Sequence, residues 1–288
     1  MADMEAQLAT TSPSMKPQSR VILWTAMRCC SSAFERSIRE LQGVKSLYEP
    51  HLTSFYYGPE RQNEFLTDED LLSNSLHTYD YTDQILLADY EGCNAVFAKE
   101  MAFYIPKERF ARYIEGDFVN FKHSFLIRDP RKSILSEWKA IVRSGLDYTS
   151  TRDASGSGVK GHAKLYELLD FIRSTGREVT VIDAADLLKN PEYIMQVYCR
   201  QTGLPYDKKM LTWTPGEVED WATKNKRFYK EWHWNAMYSS GFGKLAPPRD
   251  TSQLPSIPEI IPAIVKEDIQ KSIPYYEAMH KFCVKVDP

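Results

Sequence analysis

This 288-residue chain has no basic excess: its net charge is −3, whereas neutralising nucleic-acid phosphates needs a basic surplus or a basic stripe. A nucleic-acid partner is therefore not expected, and a small-molecule one is. No run of 18 apolar residues occurs, and residues 1 to 19 are polar with no apolar h-region, so neither a membrane span nor a signal peptide is expected. Residues 1–18 read as a disordered tail ahead of one domain over 19–288. Cysteine is sparse and unpatterned. The five present, Cys29, Cys30, Cys93, Cys199 and Cys283, are odd in number and lack zinc-like spacing, which fits reduced thiols in a cytoplasmic protein. Glycine is missing from the stretch Met27 to Ser31, so a loop there cannot be the Gly-x-x-x-x-Gly-Lys-Ser/Thr phosphate loop of nucleotide kinases.

What is present is an apolar content of 43%, enough for a sizeable core, arranged as alternating strand and helix patterns. Val21 to Trp24 reads as a strand buried on both faces. A helix follows almost at once: Ser32 and Glu35 have capping-box spacing, Phe34, Ile38 and Leu41 fall at i, i+4 and i+7, and Gly43 sits where a glycine ends a helix. The loop between, Met27 to Ser31, aims backbone N–H groups at an anion, with Arg28 and the hydroxyls of Ser31 and Ser32 as further donors. Further strands are expected at Val44–Tyr48, Asn94–Lys99, Phe121–Ile127 and Val179–Ile182. Between the second and third, an aromatic loop (Phe55, Tyr56, Tyr57) precedes two helices, one starting at Thr67 with Leu71, Leu72 and Leu76, the pair ending near Gly92. Asp129 as N-cap and Pro130 at the first position open a helix whose apolar face is Ile134, Trp138, Ile141 and Val142. Residues 144–161 lack periodicity and read as a mobile loop. Their Gly156-x-Gly158-x-x-Gly161 has no preceding strand, so it is read as a decoy and not as a dinucleotide fingerprint. A helix led by Pro191 stops at Gly203, and a last helix covers about 263–282. This alternation predicts an α/β fold in three layers, with a mostly parallel sheet of about five strands and helices on both faces.

Three stretches resemble the sulfotransferase superfamily, in order and over nearly the whole chain. Thr25-Ala-Met-Arg28-Cys-Cys-Ser31-Ser32-Ala33 is similar to its phosphosulfate loop, where a basic residue is followed by paired hydroxyls. Phe125-Leu-Ile-Arg128-Asp-Pro-Arg131, with Ser136 eight residues after Arg128, is similar to its 3′-phosphate site. Val179-Thr-Val-Ile-Asp through Pro191, Gly203-Leu-Pro205 and Trp213 resembles a run that is chiefly structural. The resemblance implies a fold like that of P-loop NTPases, and a donor, 3′-phosphoadenosine 5′-phosphosulfate (PAPS), held by Arg28, Cys29, Cys30, Ser31, Ser32, Ala33, Arg128 and Ser136. Ser240 and Gly241 stand where the family carries Arg-Lys-Gly, with Arg227 and Lys244 as substitutes. The chain departs from cytosolic members at Arg28 (usually Lys), Cys30 (Gly), Ala33 (an aromatic), Ala184 (often a tyrosine touching adenine) and Lys99-Glu100-Met101 (Lys-x-His). It is closer to the broad superfamily than to the steroid and phenol enzymes.

The implied reaction is transfer of a sulfuryl group from PAPS to a hydroxyl or amine on a small acceptor, leaving adenosine 3′,5′-bisphosphate, with no metal. Arg28, the loop N–H groups and Lys99 would stabilise charge on the leaving oxygen. Glu100 is expected to take the acceptor's proton, with His51 second; both follow strand ends on the ligand edge, whereas His123 begins its strand, about 16 Å from that edge. Tyr56, Tyr57, Phe103, Tyr104 and Trp138 would line an aromatic pocket if they converge. Two other readings stand: an inactive nucleotide-binding or interaction protein of the same fold, which the missing histidine favours, and a P-loop phosphotransferase without its signature.

Overall fold

Five short runs rich in β-branched and aromatic residues pair into one sheet: β1 (Ser19–Thr25), β2 (Val44–Tyr48), β3 (Ala95–Met101), β4 (Lys122–Ile127) and β5 (Val179–Asp183). In this computed structural model residues 19–62, 76–154, 156–221 and 226–285 are described, with backbone alone at 153–154, 219 and 226–229. The strand order is β2-β3-β1-β4-β5, all parallel. The register sets Tyr48 beside Lys99 and Thr25 beside Met101, so the C-terminal ends of β2, β3 and β1 form one edge. The chain fills one side of β1 with β2 and β3 and then crosses to β4, which makes that edge the crevice where open α/β sheets take ligands.

Ten helices surround the sheet among the described residues: α1 (Ser31–Arg39), α2 (Leu52–Tyr56), α3 (Tyr79–Leu87), α4 (Pro130–Arg143), α5 (Tyr148–Ala154), α6 (Val159–Ser174), α7 (Ala184–Lys189), α8 (Pro191–Thr202), α9 (Lys226–Tyr238) and α10 (Ala263–His280). Successive strand residues face opposite ways, and this parity sorts the covering elements. Phe97 meets Phe34 of α1, and Ser124 meets Tyr198 of α8, on one face. Trp24 meets Tyr113 and His123 on the other, with Tyr113 in a 3₁₀ stretch, Lys107–Ile114, that packs on α6 through Phe110 and Phe171. The three-layer expectation holds.

Local departures have identifiable causes. Helix α1 begins at Ser31 with Cys30 as N-cap and no side-chain cap bond. Glu35 does not close a capping box because it is buried, and its carboxylate accepts from Arg39 Nε (2.5 Å), Ser46 Oγ (2.6 Å) and Trp221 Nε1 (2.8 Å). The helix stops at Arg39, and Gly43 (φ 72°) serves the turn into β2 instead. The helix expected from Thr67, with Leu71 and Leu72, and the tail 1–18 lie outside the described residues. The second of that expected pair is α3, capped by Thr78, whose side chain accepts from Tyr81 N.

The expected mobile loop at 144–161 is instead α5, a short link and the start of α6. The glycine run in it is structural. Gly158 has φ 60°, and a Cβ there would lie 2.7 Å from Asp268 Oδ2 and 2.9 Å from Tyr148 Oη. Its N–H donates to buried Glu137 at 3.1 Å. Gly158→Ala is expected to destabilise the fold by about 2 kcal/mol or more, because both the left-handed backbone and the overlap oppose a side chain. A urea midpoint equal to that of the wild type would show that this junction yields freely.

Candidate active site

The two stretches expected to bind anions, a hundred residues apart in sequence, meet at the sheet edge. Arg128 Nη1 donates to the Arg28 carbonyl at 2.8 Å, and Arg28 Nε donates to Ser136 Oγ at 3.2 Å. Arg28 and Cys30 both hold left-handed backbone (φ 62° and 68°), a conformation that costs non-glycine residues energy and turns the loop sharply into α1. Behind that loop the uncapped first turn of α1 directs N–H groups outward, and helix geometry leaves those without intrahelical acceptors. Ser31 is buried, and Ser32 Oγ lies 3.2 Å from Tyr48 Oη. Cys29 contributes backbone only, since its thiol is in the core and burial pushes its pKa up to about 12. Burial lowers the Arg28 guanidinium below its ordinary pKa, and neighbouring Arg128 adds to that.

A second group of residues gathers beside the Arg28 loop, at the ends of β2 and β3. Lys99 is 2% exposed, forms an ion pair with Glu49 and sits 4.6 Å above the Tyr48 ring. Glu49, at φ 45°, accepts also from Tyr104 Oη at 2.9 Å. Burial would raise the Glu49 carboxyl, but the Lys99 ammonium outweighs it and holds the pKa below the ordinary value. From the C-terminal third, α9 arches over this edge. Arg28 donates to the Trp232 carbonyl and stacks 5.6 Å from the Trp232 ring, and His233 Nε2 lies 2.5 Å from Tyr48 Oη.

The sequence family described as "Sulfotransferase domain" matches residues 19–283. The chain belongs to the sulfotransferase family. A solved sulfotransferase from Alicyclobacillus acidocaldarius shares the fold, with a TM-score of 0.53 and 16% identity over 93% of this chain and 98% of that one. The sulfotransferase domain from the curacin biosynthetic pathway aligns with a TM-score of 0.49 and 13% identity over 88% of this chain and 97% of that one. Among curated proteins, branched-chain-amino-acid aminotransferase-like protein 1 of Arabidopsis thaliana is 23% identical over 221 residues, 75% of this chain. This sulfotransferase chain spans only 36% of that relative's length.

The residues expected from sequence do not all converge. Glu100 follows Lys99 and therefore points through the opposite face of the sheet. It accepts there from the His51 backbone N–H (2.9 Å), from Met101 N (2.9 Å) and, at 2.9 Å, pairs with His51 Nδ1. His51 Nε2 in turn lies 2.9 Å from Tyr113 Oη and 3.4 Å from Asp83 Oδ1. Asp83 is held by Arg109 (2.8 Å) and Arg112 (3.3 Å). The two expected proton acceptors are thus bonded to each other in a closed network that ties α3 and the 3₁₀ stretch to the sheet. His123 is committed to Trp24 Nε1 and the Tyr113 carbonyl, and burial lowers its pKa to about 4.

The His51 network gives a pH signature. Burial works to lower the His51 pKa, yet its bonds to Asp83 and Glu100 outweigh that and leave it raised. A raised folded-state pKa contributes stability that is fully present below the unfolded value of about 6.5 and is lost as pH rises through the folded value. His51→Ala is expected to cost about 3 kcal/mol in urea unfolding under mildly acidic conditions, and the gap from wild type should narrow as the buffer becomes alkaline. A gap that widens with pH would contradict a charged His51.

Tyr56, Phe103 and Tyr104 do converge, with Tyr56 and Phe103 5.8 and 4.5 Å from Tyr104, and Tyr57 is 6.2 Å from Tyr56. Trp138 does not. It turns away from Ser136 on α4 and joins Ile134, Ile141, Tyr148 and Val265 in a separate apolar cluster. Beside Phe55 and Phe103 opens a groove of about 680 Å³ that also reaches Gly156, Lys160 and Tyr166. Ser240 and Gly241 pair with Trp213 and Thr212, while Phe242 packs on Phe34 of α1. Lys244 is exposed, and the side chain of Arg227 lies outside the described residues. Ala33 is half-buried at the start of α1.

Four residues escaped the sequence reading: Tyr48, Glu49, Glu137 and His233. Glu49-Pro50 at a strand end on the ligand edge was a usable signal for the first two. Glu137 follows Ser136 on α4, is 2% exposed, and has a pKa that burial pushes up to about 7. Its Oε1 has no partner among the described residues, and the Arg28 charge opposes its pKa rise.

Proposed function

We propose that this sulfotransferase moves a sulfuryl group from PAPS to a hydroxyl or amine of a small acceptor. The observation that carries the reading is the junction of the Arg28 loop with Arg128 and Ser136, which gathers two guanidinium groups, hydroxyls and an uncapped helix N-terminus at one crevice. That donor set fits a ligand with anions at both ends. Arg128 and Ser136 would hold the 3′-phosphate by charge-assisted bonds, and Ser31, Ser32 and the α1 N–H groups the 5′ end. When bound, the donor supplies an activated sulfuryl group. Arg28 would stabilise the charge that grows on the leaving oxygen, with Lys99, paired with Glu49 above the Tyr48 ring, as a second fixed electrostatic partner that needs no rearrangement during transfer. The aromatic wall of Tyr56, Phe103 and Tyr104 suits an apolar acceptor body.

Calorimetry with adenosine 3′,5′-bisphosphate and with adenosine 5′-phosphate tests the donor half, the first being expected to bind at least about 30-fold more tightly. A scan of alcohols, phenols and amines with labelled PAPS tests the second half. Nucleotide binding without any turnover would favour an inactive relative of the same fold.

A further inference from the structure

We propose that His233 is the proton acceptor in the transfer step, with the Tyr48 hydroxyl relaying the proton from the acceptor to His233 Nε2; the inference rests on the sulfotransferase reading above. A base must stand at the edge that carries Arg28 and Lys99. Glu100 and His51 are bonded to each other on the far face of the sheet, and Met101, the next residue of β3 on the near face, offers only a thioether, which lies 3.6 Å from Lys99 Nζ. Glu49 is engaged by Lys99 and Tyr104.

His233 alone among the described histidines is joined to the donor loop by hydrogen bonds. Ser32 Oγ lies 3.2 Å from Tyr48 Oη, which lies 2.5 Å from His233 Nε2. This chain runs from the loop through β2 to α9. The imidazole is half-buried and so retains a route for the proton to water. It is flanked edge-on by the Tyr48 ring at 5.8 Å and at a tilt by Trp221 at 5.5 Å, which fixes its orientation. The charged and titratable groups around the Tyr48–His233 pair include Glu49 at the end of β2, Lys99 on β3, and Glu35 and Arg28 near Tyr48, with Glu35 also bound by the Trp221 indole at 2.8 Å; Glu231 on the helix of His233 is already bound by Arg249 at 2.7 Å. The Glu49 carboxylate interacts electrostatically with His233, which favours an imidazolium there. Tyr48 stays neutral at working pH, since burial and Glu49 hold its pKa well above the ordinary value.

The step balances. As the acceptor oxygen forms its bond to sulfur, its proton passes to Tyr48 Oη while the Tyr48 proton passes to His233 Nε2. The bond between sulfur and the bridging phosphate oxygen breaks, and that oxygen leaves with its electron pair on adenosine 3′,5′-bisphosphate, beside Arg28. His233 then returns the proton to water.

The test compares two probe acceptors with PAPS as donor: p-nitrophenol, already ionised at about pH 8.5, and benzyl alcohol, which must lose its proton during transfer. In His233→Gln, transfer to benzyl alcohol is expected to fall about 10²- to 10³-fold and transfer to p-nitrophenolate by no more than about threefold. Tyr48→Phe should show the same selectivity, the rising limb of the benzyl alcohol pH profile should vanish in both variants, and free imidazole should restore part of the rate to His233→Ala. Equal loss with both acceptors, no loss with either, or a wild type that transfers to neither overturns the proposal. Adenosine 3′,5′-bisphosphate binding, measured on the same samples, separates the outcomes: unchanged binding confines the failure to His233, and absent binding in the wild type removes the donor reading as well.

Discussion

Arg28→Ala is expected to lower turnover by about 10²-fold or more while changing affinity for adenosine 3′,5′-bisphosphate by less than about tenfold. Among the described residues Arg28 has no carboxylate partner for its hydrogen bonds: its guanidinium donates to Ser136 Oγ and to the Trp232 carbonyl. A buried guanidinium bonded only to neutral oxygens keeps its charge available for an incoming anion, and burial makes each unit of that charge count for more than it would in water. Charge on the bridging oxygen is larger in the transition state than in the bound donor, so the loss falls on the rate. On the proposed reading the bisphosphate product would keep Arg128, Ser136 and the α1 N-terminus, so its affinity should suffer less. Arg28→Lys should recover part of the rate, since an ammonium restores the charge without the planar fork. Trp232→Ala, which leaves the backbone carbonyl in place, should cost far less than Arg28→Ala. Steady-state rates at saturating PAPS, paired with calorimetry of the product, read both halves. Unchanged turnover would leave Arg28 a structural tie between the loop and α9.

The strands and the ligand edge were legible because each strand is a short apolar run closed by a breaker, as at Glu49-Pro50 and Asp129-Pro130. The pairing of the Arg28 loop with Arg128 and Ser136 was legible only through family likeness, since nothing local links residues so far apart. Glu100 shows how adjacency misleads. It stands next to Lys99 in sequence, but strand parity sends neighbours through opposite faces, so Lys99 reaches the crevice while Glu100 meets His51 behind the sheet. Trp138 shows the helical counterpart: two positions beyond Ser136 it lies on the other side of α4. His233 was hidden for a different reason. It reaches Tyr48 from 185 residues away, on a helix whose basic and aromatic composition reads as surface. Glu137 was hidden because the glycine run that seats it carries no periodicity, although the close packing of Gly158 between Glu137 and Asp268 is what demands glycine there.

Arg128→Ala is expected to remove about 2 to 4 kcal/mol of the preference for adenosine 3′,5′-bisphosphate over adenosine 5′-phosphate, roughly 30- to 1,000-fold in relative affinity. Arg128 directly follows β4 at the crevice, half-buried, and one of its nitrogens already holds the Arg28 carbonyl at 2.8 Å. A guanidinium fork with donors beyond that bond suits the bidentate geometry of a phosphate. Removing it has two consequences of different kinds. The Arg28 loop loses the bond that steadies its left-handed backbone, and this weakens both nucleotides alike. The 3′-phosphate also loses a charged donor, and this weakens only the bisphosphate. The ratio of the two affinities cancels the first effect and isolates the second, which a single dissociation constant cannot do. Ser136→Ala removes a neutral donor from the same phosphate and should change the ratio by only about 1 kcal/mol. Arg128→Lys, which keeps the charge but loses the fork, should fall between the two. A ratio near one in the wild type, or one that survives Arg128→Ala, would mean that the 3′-phosphate is held elsewhere and that Arg128 serves the fold of the loop alone.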